Sequence, residues 1–109
     1  MTDKIVVLSA CESEEEAARL ARHLVEKRVA ACVSIVPGAR SIYHWKGEIE
    51  DTAEWLLVIK SRRDLFAALR LELGRMHSYE VPEIVALPVV EGSESYLAWL
   101  DRELENPDK

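Results

Sequence analysis

His77 is followed by Ser78, Tyr79, Glu80, Val81 and Pro82, with Met76 immediately before and Glu83 immediately after. This short stretch offers an imidazole, a thioether, a phenol and two carboxylates. Neutral imidazole suits copper and zinc, a thiolate or thioether biases a site towards cuprous ion, and carboxylate oxygens suit harder cations. The candidate metal ligands of this stretch are His77, Met76 and Glu80, with Tyr79, Glu83 and Lys60 lining a polar cleft. Two plainer readings stand beside this one. A histidine closing a helix is favoured there by the macrodipole and has its ring satisfied by a backbone carbonyl. Tyr79 packs its ring at an interface while the glutamates stay in solvent.

Other chemistry finds little support. Cys32 sits in an apolar stretch and reads as a buried packing residue, and the two cysteines lack the paired spacing of a structural zinc site. Glu12, Glu14 and the neighbouring acidic turn disfavour a thiolate at Cys11. His23 and His44 have no visible partner. An acylphosphatase would need a glycine-rich, arginine-bearing first loop and a catalytic asparagine, but the loop is Cys11-Glu12-Ser13 and the only asparagine is Asn106. No G-x-S-x-G elbow and no glycine-rich phosphate loop occur. The expectation is a protein that is not an enzyme.

The net charge of -6 argues against nucleic acid or anionic membrane as partner, because both select clustered Lys and Arg. The longest basic run, Lys60-Ser61-Arg62-Arg63, reads as a solvated helix start. No apolar run reaches signal-peptide or transmembrane length, so a cytoplasmic location is expected. The 109 residues suffice for one core, and positions 1–109 are read as one domain.

The elements that must position these residues are legible in the patterning. Lys4 to Cys11 is almost continuously apolar, as in a central strand covered on both faces. Ser13-Glu14-Glu15-Glu16 reads as a capping box opening a helix with Ala17, Leu20, Ala21, Leu24 and Val25 on its buried stripe. An extended segment from Val29 to Trp45 is interrupted by Pro37-Gly38, which predicts a kinked edge strand. Lys46-Gly47-Glu48 turns the chain into a second apolar strand, Glu54 to Lys60. Ser61-Arg62-Arg63-Asp64 then starts a helix carrying Leu65, Phe66, Leu69, Leu73 and Met76 inward. Glu83 to Val90, with Pro88, predicts another edge strand, and Ser93 caps a closing helix before a polar tail from 105 to 109. The order βαββαβ plus a helix, with prolines in strands two and four only, predicts an α+β, ferredoxin-like antiparallel sheet in the order 4-1-3-2. Ile42, Tyr43, Trp45 and Trp55 lie on a hairpin too long for a small sheet, and are expected to form a contact between copies of the chain.

Four segments carry a resemblance over nearly the whole chain: Ala31 to Gly38, Ser41 to Glu50, His77 to Pro88 and Tyr96 to Leu100. Together they resemble the CutA divalent-cation tolerance family. The resemblance implies a ferredoxin-like subunit in an intertwined homotrimer, similar in architecture to the PII signalling proteins. It implies a copper or other divalent-metal tolerance function in bacterial members and a protein-anchoring role in animal members. In some bacterial members copper is held by a cysteine ending the first strand and a histidine pair before Pro-Tyr. Those positions are Ser9, Met76 and His77 here, with Ser78 in place of the proline; Cys11, two residues beyond Ser9 on the same strand face, is the thiol ligand that the resemblance implies beside His77. The alternative function is a PII-like sensor or scaffold whose inter-subunit clefts take a small anionic ligand or an unidentified protein partner.

Overall fold

The computed structural model describes residues 1–105, so positions 106–109 of the polar tail lie outside the described residues. The strands are β1 (Lys4–Cys11), β2 (Cys32–Trp45), β3 (Glu48–Arg62) and β4 (Val85–Pro88), and the helices are α1 (Glu14–Glu26), α2 (Phe66–Met76) and α3 (Glu94–Leu104). All pairings are antiparallel and the sheet order is β2-β3-β1-β4, the predicted 4-1-3-2 read from the other edge. The two proline-free strands occupy the centre because each must donate hydrogen bonds on both sides.

One face of β1 and β3 carries Ile5, Val7, Ser9 and Cys11 opposite Ser61, Ile59, Leu57 and Trp55. Leu20 and Leu24 of α1 and Leu69 and Leu73 of α2 close over this face to form the core. The other face is only partly covered, with Val6, Leu8, Leu56 and Val58 all half-buried. Its near end is held by Asp101 of α3, which pairs with Lys4 and Arg62. The prediction that β1 is covered on both faces therefore holds only in part for the single chain, because α1 and α2 close one face while α3 reaches only the near end of the other.

Several local readings are refined. Ser13 caps α1 by accepting the Glu16 N–H at 3.1 Å, but the Glu16 carboxylate turns to Ser78 instead of completing a capping box. Val25 is exposed at the rim of α1. Ser61 and Arg62 continue β3, and a 3-10 turn at Arg63–Leu65 leads into α2 without a side-chain cap. β4 pairs only over Val85–Pro88 against Ile5–Leu8, shorter than expected because the segment before Val85 is drawn away into the loop after α2. Pro37-Gly38 does produce a bulge, since the β2–β3 register shifts between Val36 and Ala39 and Gly38 has φ +84°. Cys32 is only half-buried, because it begins the edge strand.

Beyond the bulge the β2–β3 hairpin runs on to a turn at Lys46 and Gly47, both at positive φ (52° and 84°), the geometry of a type I′ turn. The arm makes the molecule long, 46 × 29 × 22 Å, with a radius of gyration of 14.6 Å against ~13 Å for a compact chain of this length. Ile42 and Ile49 on it are 64% and 67% exposed. Arg40 braces the arm with two hydrogen bonds to Asp51, at 2.8 and 2.7 Å.

Candidate functional site

α2 ends at His77, and the loop that follows folds back against the end of β1. The His77 side chain is fully buried there. Its Nε2 lies 2.8 Å from the Ala10 carbonyl, which can only accept, so Nε2 carries the hydrogen; Nδ1 accepts the Tyr79 N–H at 3.0 Å. Both ring nitrogens are thus used by the backbone. The imidazole works as a clamp that sets the path of the chain into Tyr79.

Glu16 holds the same loop from the other side. Its carboxylate accepts the Ser78 N–H at 2.8 Å and the Ser78 O–H at 3.0 Å. Burial raises the Glu16 carboxyl, but the Ser78 hydrogen bonds outweigh it and the net effect lies below the ordinary carboxylate value.

The remaining expected metal ligands do not gather around His77. Cys11 is fully buried and directs its thiol to the carbonyls of Ser13 (3.6 Å) and Trp55 (3.9 Å). Burial first, and the Glu16 charge second, push that thiol up to about 11, so at neutral pH it is not a thiolate. Met76 packs against the core. Glu80 is exposed and faces Lys46 at 3.8 Å. Ser9, the position of the family's cysteine, is fully buried, and its hydroxyl has no hydrogen-bond partner among the described residues. No group of three or more His, Cys, Asp or Glu side chains among the described residues is placed to hold an ion. A copper site on His77, Cys11, Met76 and Glu80 therefore does not fit this chain: the imidazole has no free lone pair and the thiol is protonated and enclosed.

What the loop does build is a cleft of about 700 Å³ between itself and the hairpin. Tyr79 and Glu83 line it as expected, joined by Glu80, opposite Tyr43, Trp45 and Glu50. Its floor is Glu54, 5% exposed, whose Oε2 accepts the Tyr79 O–H at 2.6 Å. Burial and the adjacent Glu54 carboxylate push the Tyr79 phenol well up, so it stays a donor. Lys60 is not part of the cleft: it lies six residues further along β3, ~20 Å away, paired with Val6. Of the expected contact residues, Ile42, Tyr43 and Trp45 are exposed on the arm, whereas Trp55 packs against the protomer's own core. Sequence reading missed Glu54, Glu50 and Glu16. For Glu54 the signal was present: it shares the strand face of Leu56 and Val58, where a carboxylate is out of place unless it lines a site.

A family model for the CutA1 divalent ion tolerance protein matches residues 5–103. The chain belongs to this family. It is 50% identical over 95 residues to the divalent-cation tolerance protein CutA of Thermus thermophilus, covering 87% of this chain and 92% of that one. It is 41% identical to the chloroplastic protein CutA of Arabidopsis thaliana over 94% of its own length, but spans 56% of that longer protein. The crystal structure of CutA from Xylella fastidiosa superposes with a TM-score of 0.93 at 38% identity, covering 95% of this chain and all of that one. Membership in the CutA1 family supports a general role in metal tolerance. No described helix is long and apolar enough to cross a membrane.

Proposed function

We propose that this CutA1-family chain serves divalent-cation tolerance in the cytoplasm as a non-catalytic homotrimer, with its cation-binding surface in the acidic cleft and not at His77. The observation that carries this reading is the set of four glutamates, Glu50, Glu54, Glu80 and Glu83, converging on one cleft. Carboxylate oxygens bind divalent ions, and for a given oxygen set Cu²⁺ is held most tightly among the first-row divalents. These glutamates line the cleft without any three described side chains of one protomer lying close enough to hold an ion together, so the ion would be completed by a neighbouring copy. The half-covered sheet face and the exposed arm support such an assembly.

Calorimetric titration with Cu²⁺ tests the assignment. Glu83→Gln is expected to weaken binding at least tenfold, whereas His77→Gln leaves the affinity within a few-fold if the trimer stays intact. Loss of binding in the histidine variant alone, with trimer mass unchanged, would return the site to His77.

The alternative, a sensor cleft in the manner of the PII proteins, gains from the size of the cavity. A small anionic ligand, however, is the wrong charge for it, since four carboxylates would repel an anion.

A further inference from the structure

Glu54 is 5% exposed, yet no cation lies within 4 Å of it among the described residues, and its one recorded side-chain partner is the neutral Tyr79 hydroxyl. A carboxylate removed from water and left without a counter-charge is unfavourable, so such groups are normally paired with a cation or a metal. No described residue of the protomer supplies that partner. The space in front of Glu54 shows what kind of cation it would be. The cleft, about 700 Å³, is deep enough for an organic molecule and is walled by the rings of Tyr43, Trp45 and Tyr79. Aromatic faces attract alkylammonium groups, and the further carboxylates Glu50, Glu80 and Glu83 extend the negative charge outwards.

The chain itself provides an example of this chemistry at the rim. The Lys46 ammonium sits 5.7 Å from the centroid of the Trp45 ring and 3.8 Å from Glu80 Oε2. That is an aliphatic ammonium held between an aromatic face and a glutamate. It answers only one of the four carboxylates, an exposed one.

We infer that the cleft binds an aliphatic di- or polyamine, with one terminal ammonium on Glu54 and the methylene chain running outwards along Tyr43 and Trp45, so that further ammonium groups meet the rim glutamates. The inference uses the cleft named above but does not depend on the metal reading. Tyr79 acts as a positioning residue: its O–H holds Glu54 Oε2 and leaves Oε1 for the incoming ammonium.

Calorimetry on the intact oligomer with spermidine as the probe tests this, with the uncharged diol 1,8-octanediol and Mg²⁺ at matched ionic strength as controls. Saturable spermidine binding is expected, tighter than any response to Mg²⁺ and with no saturable response to the diol, and Glu54→Gln should weaken it at least tenfold. Tyr79→Phe, which keeps the ring, should weaken it several-fold, and Glu83→Gln gives a rim variant that leaves the floor intact if Glu54→Gln does not fold. Absence of saturable spermidine binding, an equal response to Mg²⁺, or unchanged affinity in both glutamate variants overturns the inference. Spermidine binding without any Cu²⁺ binding would sink the metal reading and leave this one standing; Cu²⁺ binding that spermidine neither matches nor displaces would do the reverse.

Discussion

At the scale of single residues, His77 follows the plainer of its two sequence readings, a helix-closing histidine whose ring is satisfied by a backbone carbonyl, and not the ligand reading. Its position at a helix end was visible in the sequence, but its ligand capacity depended on whether both nitrogens were already engaged, and Ala10 and Tyr79 engage them. Ala10 lies 67 positions away, a separation no local pattern reveals. Glu16 is a similar case, a presumptive capping residue taken over by Ser78. Its carboxyl is held below the ordinary value near 4.5. A depressed folded-state value means that the charged form stabilises the fold above the ordinary range, and that this contribution is lost as pH falls through the lowered value. Denaturant unfolding between pH 3 and 7 should show a steeper acid limb for the wild type than for Glu16→Gln below about pH 4.5. Superimposable acid limbs would show that the Ser78 clamp adds no pH-dependent stability.

At the scale of elements, alternation and periodicity recovered the strands and helices, and prolines recovered the sheet order. The hairpin arm is the element on which the cleft depends, since Tyr43, Trp45 and Glu50 all lie beyond the bulge. Its geometry is fixed at the tip by Lys46 and Gly47, both in the left-handed region. Nothing lies within 4 Å of a Cβ added at Gly47, so an alanine there would meet only the backbone penalty of φ +84°. Gly47→Ala is expected to cost ~1 kcal/mol in equilibrium unfolding, with little change in the core. A neutral substitution would mean that the arm's pairing, braced by Arg40 and Asp51, tolerates a different turn.

At the scale of the whole molecule, two features of the protomer point outwards: a sheet face on which Val6, Leu8, Leu56 and Val58 are half-buried, and an arm with Ile42 and Ile49 mostly exposed. The proposed self-association would cover both. Light scattering at micromolar concentration should return three times the 12.4 kDa of one chain, and the double variant Ile42→Ser, Ile49→Ser should shift the mass towards the monomer. A wild-type monomer would remove the proposed trimer and any ion site shared between copies.

Sequence alone determined the element order, the central and edge strands, the kink at Pro37-Gly38 and the placement of Tyr79 and Glu83 in a polar cleft. These follow from side-chain period, missing donors and local charge, all properties of residues near one another in the chain. Tertiary structure alone decided that both ring nitrogens of His77 are engaged, that Cys11 is an enclosed thiol and that Trp55 belongs to the core. Each of these depends on what meets the side chain across the fold. A lone pair already donated, a thiol enclosed or a ring turned inward leaves no mark on the residue's immediate neighbours in sequence.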